Sequence, residues 1–584
     1  MDLKNLIRVT INDIPVLVPE GSTILDAAKR AEVYIPTLCH LKLDDFAIEN
    51  KPSSCRVCMV EVEGRPRLCT ACSETATDGM VVSTNSQRAL RARRTNVELL
   101  LSNHPQLCLT CAKNMDCELQ KLAHDIGCRE ITYSGKRSHH PDDETSYSVI
   151  SHPDKCIMCR RCETMCNEVQ TVGVLSALDR GFSTVVRTAF HLDMTETSCT
   201  KCGQCVAVCP TGALTETNCT HRVWRALQDP SKHVVVQVAP AVRVALGEMF
   251  GMAAGTISTG KICTALRKLG FDGIFDTDWA ADLTIMEEAS EIVHRLSTPG
   301  STLPILTSCC PAWVYFVESQ FPDMLDIPST CKSPQIMFGT MAKTYYAEQK
   351  GLDPKDIVVV SIMPCLAKKS EARRPELMND GMKDVDIVVT TREFGHMLIE
   401  IGLDLNQMTD SNFDSIMGES TGASIIFGTT GGVIEAALRT ASEWITGEPL
   451  KSVELTSLRG FDGIREGTVT IGDRDLHVGI AHGLGNARRL LEGIRDGEFH
   501  YDAIEIMACP GGCIGGGGQP YHHGDMEILL KRQQAIYRED RGKMIRKSHE
   551  NPMIKKIYDE YLGEPYGPKA HELLHTTYTP KPRI

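Results

Sequence analysis

Between residues 3 and 22 apolar and polar positions alternate, as IRVTIND and then PVLV around a short turn, which predicts a β-hairpin. STILDAAK (22–29) then changes to helical spacing behind a Ser-Thr pair and predicts a capped helix start. Past residue 220 the pattern becomes one of long apolar runs. HVVVQVAP (233–240), IVVVSIMP (357–364) and VDIVVTT (385–391) read as buried strands, and helical patterns such as DLTIMEEASEIVHRL (282–296) separate them. Strands alternating with helices predict an α/β domain with largely parallel sheets. Residues 525–584 are charged and helical in pattern. The longest apolar stretch, VVVQVAPAVRVALGEMF, is interrupted by Arg243, so no membrane span is expected.

Composition sharpens this. The 584 residues are enough for several domains, and 42% hydrophobic residues are enough for their cores. A net charge of −13 argues against nucleic acid as the main partner. The opening MDLKNLIRVTINDIPVLVPEGS has no apolar signal core, so a cytoplasmic protein is expected. In that reducing compartment 25 cysteines mean metal or catalysis, not disulfides.

The cysteine spacing names the metal. Cys39, Cys55, Cys58 and Cys72, after a hairpin and a helix, resemble a long-looped relative of the ferredoxin-type [2Fe–2S] domain. Cys69 competes as fourth ligand, and the ending LCTACS favours Cys72. His104, Cys108, Cys111 and Cys117 follow as H-x3-C-x2-C-x5-C, in which imidazole completes a four-coordinate cubane. Two CxxCxxCxxxC runs come next. In the two-cluster ferredoxin arrangement the fourth cysteine of each run serves the other cluster. Cys156, Cys159, Cys162 and Cys209 are therefore expected to hold one [4Fe–4S] cluster, and Cys199, Cys202, Cys205 and Cys166 the second.

Three later segments decide the chemistry: TSCCPAW (307–313), MPCLAKK (363–369) and MACPGGCIGGGGQP (507–520). They supply Cys310, Cys365, Cys509 and Cys513, enough for one more cubane, two of them in a glycine-rich loop where backbone can approach a bulky cofactor. In this order the segments closely resemble the active-site signatures of [FeFe]-hydrogenases. The resemblance extends over nearly the whole chain, and the histidine-containing module also resembles complex I-type iron–sulfur subunits. It implies an H-cluster: a cubane on those four cysteines, joined through Cys513 to a two-iron unit carrying CO, cyanide and azadithiolate.

The same resemblance assigns roles. Cys309 becomes the proton donor, on the expectation of an ordinary thiol near pKa 8.5. Glu288 and Glu291 share a helix face. With Ser329, and Arg295 at the outer end, they form the route from solvent. Lys368 bonds an iron-bound cyanide, while Met363, Met507, Pro240 and Gln335 line the two-iron pocket. At Ala241 some members carry a serine that bonds cyanide, and alanine cannot. Cys69, Cys128, Cys219, Cys263 and Cys331 are left as buried apolar thiols. Gly428–Gly432 opens a helical pattern and reads as a packing turn rather than a phosphate site.

The expected architecture is multidomain, α+β and α/β. Residues 1–85 form a [2Fe–2S] module, 86–140 the histidine-containing [4Fe–4S] module and 141–218 the two-cluster module. Residues 219–524 form the α/β H-cluster domain with helices flanking its sheets, and 525–584 a small-subunit-like helical segment. The implied activity is interconversion of H2 with protons and electrons. The proton couple near roughly −410 mV at pH 7 matches clusters near about −400 mV. Ferredoxin, or partner subunits binding NAD(P) and flavin, would exchange the electrons, and maturation proteins would install the two-iron unit. Two rival readings are an electron-transfer subunit without hydrogen chemistry and an iron–sulfur assembly or sensor protein. The three signatures oppose the first, and Cys309 with its proton route opposes the second.

Overall fold

The computed structural model describes residues 5–583 apart from 44, 45, 308, 380 and 451. Strands Leu6–Ile11 and Ile14–Pro19 form the expected hairpin, with Leu6 opposite Pro19. Its turn residues Asn12 and Asp13 both have positive φ, the twist that a two-residue hairpin favours. Strand Val81–Ser83 pairs parallel to Leu6–Ile11, and Met59–Val62 and Cys69–Thr70 complete a five-stranded sheet. Helix Ile24–Arg30 begins directly behind the Ser-Thr pair. Thr23 is its cap, exchanging hydrogen bonds with Asp26. Helix Gln87–Asn103 packs on this module through Arg93, whose guanidinium donates to the Met59 carbonyl, and its C-cap is His104.

The two-cluster module repeats itself. Strands Val149–Ser151 and Leu214–Glu216 pair antiparallel, and each cysteine run leads into a short helix, Arg161–Thr164 or Gln204–Val208. A hairpin of Leu175–Leu178 and Val185–Thr188 is inserted between the halves.

The remainder holds two four-stranded sheets. One is wholly parallel, in the order Gly273–Asp276, His233–Val238, Ile357–Met363, Ile387–Thr390. The other runs Ile305–Leu306, Ala503–Met507, Arg474–His482, Ile464–Ile471, with only the last strand antiparallel. Cys310, Cys365 and Cys509 all lie just beyond carboxyl ends of strands in these sheets, where open α/β sheets place their ligands. The expected 282–296 helix runs Thr277–Ser297, because Asp276 caps it five residues earlier. It is buried along most of its length. The C-terminal segment, with helices Met526–Gly542, Pro552–Ile557 and Pro568–Leu574, is anchored on it. Glu287 of the long helix accepts from the Tyr558 hydroxyl and the Tyr566 amide and pairs with His575 Nε2. No helix among the described residues is long and apolar enough to cross a membrane.

Candidate active site and its electron path

Cys310 caps helix Pro311–Gln320, Cys365 follows its strand by two residues, and Cys509 and Cys513 bracket a tight turn. The four sulfurs converge. Burial and the neighbouring Cys310 and Cys365 push the Cys513 thiol well up, and Cys509 is raised by burial and by all three of the others. Four thiols gathered at one place are the donor set that an iron–sulfur centre takes as thiolates. Beside them a cavity of about 60 Å3 is bordered by Pro240, Cys309, Gln335, Met363, Lys368 and Cys513. Gln335 Oε1 is buried there with no hydrogen-bond donor among the described residues. Lys368 Nζ donates to the Cys309 carbonyl at 3.1 Å and to Glu371 at 2.9 Å, which fixes an ammonium at the cavity wall. A cavity with sulfurs on one side, a cation on another and an orphaned acceptor fits an anionic metal cofactor. Met507 does not border the cavity as expected. It ends the strand Ala503–Met507 and packs into the apolar core against which Cys309, Cys310 and Cys513 also rest.

The Cys309 thiol differs from expectation. Burial first, then the Glu288 carboxylate, pushes its pKa well above the usual cysteine range, so it stands as a protonated thiol at neutral pH. The Glu288 carboxylate is close enough to act on that thiol, and a second cluster gathers around Glu291. Glu288 and Glu291 are buried on helix Thr277–Ser297. Ser329 Oγ donates to Glu291 Oε2 at 2.8 Å, and Arg295 Nη2 to Glu291 Oε1 at 2.6 Å. Arg295 also holds the carbonyls of Asp326, Ile327 and Pro328 at the half-buried end of the chain.

In the first module the cysteines lie in close pairs. Cys39 and Cys55 sulfurs lie 3.3 Å apart and Cys58 and Cys72 3.4 Å apart. No cysteine among the described residues is disulfide-bonded. Cys69 points elsewhere and accepts from Arg65. His104 Nδ1 is buried without a partner among the described residues, and burial lowers the ring's pKa to about 4, leaving a neutral imidazole. Cys156, Cys159, Cys162 and Cys209 border one small cavity. Burial and neighbouring Cys202, Cys199, Cys166 and Cys209 raise the Cys205 thiol. Of the leftover thiols Cys219, Cys263 and Cys331 are buried, but Cys69 and Cys128 are partly exposed. Cys69 lies on the short strand Cys69–Thr70 at the margin of the first module's core, and Cys128 follows the end of helix Glu118–Asp125.

The segments that carry the cysteine groups touch one another in a branched order. Asn50 Nδ2 donates to the Cys39 carbonyl at 2.5 Å and the Cys159 carbonyl at 3.0 Å, tying the first module to the third. A methyl on Gly212 would lie 2.7 Å from Cys111 Sγ, so the histidine-containing module also abuts the Cys209 loop. Cys205 is among the charges felt by Cys162, and Cys202 is among those felt by Cys509. The glycine-rich loop makes the last contact: a Cβ on Gly517 would stand 2.7 Å from the backbone of Gly203, and one on Gly516 2.2 Å from the Pro364 carbonyl.

Sequence reasoning missed the residues that hold this loop. Arg392 donates to the carbonyls of Gly517 and Gln519 and pairs with Glu216. Arg532 donates to those of Ile514 and Pro520, and Gln204 to that of Gly515. His482 accepts from the Gly511 amide through Nδ1, which leaves Nε2–H for the Phe461 carbonyl. Gln204 lies inside the second cysteine run but at a position its spacing leaves open, the others sit in no motif, and only folding brings them together. Gly431 and Ile434, at the start of helix Gly432–Thr446, turn their amides to buried Glu505. The helix N-terminus thus holds an internal carboxylate, in agreement with a packing turn.

Residues 232–517 match the family described as iron only hydrogenase large subunit, C-terminal domain, and 526–581 match iron hydrogenase small subunit. Residues 4–87 match a 2Fe-2S iron-sulfur cluster binding domain, 93–132 the NADH-ubiquinone oxidoreductase-G iron-sulfur binding region, and 155–213 a 4Fe-4S dicluster domain. The NADP-reducing hydrogenase subunit HndD of Solidesulfovibrio fructosivorans is 58% identical over 99% of this chain and 100% of its own. The chain belongs to the iron-only, or [FeFe], hydrogenase family. Iron hydrogenase 1 of Clostridium pasteurianum is 39% identical to this hydrogenase over 98% of the chain and 99% of its own. The apo [FeFe]-hydrogenase HydA1 of Chlamydomonas reinhardtii superposes with a TM-score of 0.56 at 45% identity, covering 62% of the hydrogenase and 99% of itself. The hydrogenase is therefore an iron–sulfur oxidoreductase with [2Fe–2S] and [4Fe–4S] domains ahead of its H-cluster domain.

Proposed function

We propose that the chain interconverts H2 with two protons and two electrons at the cavity beside Cys513, and passes electrons along its accessory clusters to partner subunits that bind NADP. The observation that carries this reading is the single cavity on which Cys309, Lys368 and the sulfur of Cys513 converge. The H-cluster, when bound, supplies the metal that accepts or releases hydride. Cys310, Cys365, Cys509 and Cys513 would hold it, and Lys368 would orient its anionic ligands by a charge-assisted hydrogen bond. Met363, Pro240 and Gln335 would exclude water. Ala241 offers only its methyl and backbone there.

The proton step belongs to this chain's own side chains. Cys309 Sγ–H delivers a proton into the cavity and is reprotonated from Glu288. Glu288 is resupplied through Ser329 and Glu291, and Arg295 marks the outer end. A thiol with a raised pKa suits this, because it stays protonated until the cavity takes the proton. Electrons would arrive on the [2Fe–2S] group of Cys39, Cys55, Cys58 and Cys72 or on the His104 cubane. They would meet at the Cys156, Cys159, Cys162, Cys209 cubane, cross to that of Cys166, Cys199, Cys202 and Cys205, and reach the active site next to Cys509. The five-part division at residues 85, 140, 218 and 524 follows these roles. No nucleotide fingerprint occurs in the sequence, so NADP and flavin are assigned to partners, with ferredoxin as a further electron carrier. Maturation proteins would install the two-iron unit, in the cytoplasm.

The test is H2 evolution from reduced viologen by chain matured without oxygen, with Cys309→Ala beside it. Evolution that is lost in the variant at unchanged iron content supports both chemistry and route. No gas from fully loaded protein overturns the reading.

A further inference from the structure

The chain is acidic overall, yet its positive charge is locally concentrated over the first cluster module. Residues 86–96 hold four arginines and no acid. Arg93 is buried against Met59, but Arg88, Arg91 and Arg94 are exposed. Arg56 joins them from the turn between Cys55 and Cys58, where its positive φ presents the side chain outward. Arg56, Arg88 and Arg91 line one open groove of about 940 Å3, floored by Met59, Leu68 and Ala92. Arg88 is half neutralised by Glu61. Among the described residues, no ion pair or side-chain hydrogen bond engages the guanidinium of Arg56 or Arg91. The groove thus pairs unneutralised cations with an apolar floor, directly over a loop that carries two of the four sulfurs.

We infer that this groove is the docking site of an acidic electron-carrier protein, which seats carboxylates on Arg56 and Arg91 and exchanges electrons through the Cys55–Cys58 loop. The inference rests on the electron path proposed above and names the entry point that path leaves open. Charge complementarity favours it. A protein of net charge −13 repels acidic partners over most of its surface, so a basic groove at one cluster both attracts the partner and fixes its orientation. The exposed Leu107, Leu109 and Met115 around the histidine-containing module offer an alternative apolar face. That face carries no comparable charge and predicts salt-insensitive binding.

The experiment uses holoenzyme and a small acidic ferredoxin as probe. Calorimetry gives its affinity for wild type, Arg56→Glu/Arg91→Glu and Arg56→Lys/Arg91→Lys. The [2Fe–2S] electron paramagnetic resonance signal reports an intact module, and viologen-driven H2 evolution reports an intact active site. The double reversal should weaken binding by about tenfold or more, and lysine should restore most of it. Wild-type binding should fall steeply as the screening length drops from about 30 Å at 0.01 M salt to about 3 Å at 1 M. Unchanged affinity in the reversal variant, or salt-insensitive binding, overturns the docking site. Because calorimetry needs no turnover, that result stands apart from failure of the hydrogenase reading, which appears as absent viologen activity in wild type.

Discussion

Single residues carry most of the chemistry, and there the sequence spoke clearly where a motif surrounds the residue. Cys309 is identifiable because it adjoins Cys310 inside TSCCPAW. Its protonation state is not, because burial by distant segments sets it. Cys309→Ala should lower H2 evolution by about 10²–10⁴-fold, the worth of a positioned acid–base group, at unchanged iron content. A loss below tenfold would mean that protons enter by another path. Glu505 shows the opposite case, since nothing in its local sequence marks it. Burial raises its pKa from 4.5 to about 7. The folded state therefore holds a proton that the unfolded chain releases near pH 4.5. This contribution is fully present below about pH 4.5 and is lost as pH rises to about 7, a change of about 3 kcal/mol. Glu505→Gln keeps the shape and removes the titration. Its apparent melting temperature should fall less than that of wild type between about pH 5.5 and about pH 7.5, and parallel curves would refute the assignment.

At the scale of elements, period and capping located the hairpin, the buried strands and the long helix. The helix start shifted because Asp276 lies before the window where apolar periodicity becomes visible. Which elements pack on that helix was not legible. Glu287 looks like one of three neighbouring acids, yet it alone receives Tyr558, Tyr566 and His575 from the C-terminal segment. Removing one partner from a buried charged network costs about 3–5 kcal/mol. Glu287→Ala should therefore speed hydrogen exchange across helices Pro552–Ile557 and Pro568–Leu574 before the catalytic sheets respond. Uniform exchange throughout the chain would show that the segment is not a separate docking unit. The two-cluster repeat makes a sharper claim. Cys209→Ser should damage the cluster of Cys156, Cys159 and Cys162 and spare its neighbour, whereas Cys166→Ser should do the reverse. Resonance spectra of the two variants distinguish this from an uncrossed arrangement.

Across the whole molecule, function depends on modules meeting at backbone distance. The glycines at 515–518 announced a close approach, but not that the approaching chain would be Gly203 of the two-cluster module. That contact lies where the proposed path would cross from Cys202 to Cys509, and Arg392 and Arg532 hold it from outside without any motif to reveal them. Gly517→Ala tests the consequence, because its methyl would stand 2.7 Å from the Gly203 backbone. Backbone cannot rotate away as a side chain does, so the modules must separate. Hydrogen–deuterium exchange on H2 needs only the active site and its proton route, whereas viologen oxidation also draws on the accessory clusters. The variant should keep most of the first activity and lose the second several-fold. Equal loss of both would locate the damage in the active-site loop itself, and loss of neither would mean that electrons reach Cys509 without passing the Gly203 contact.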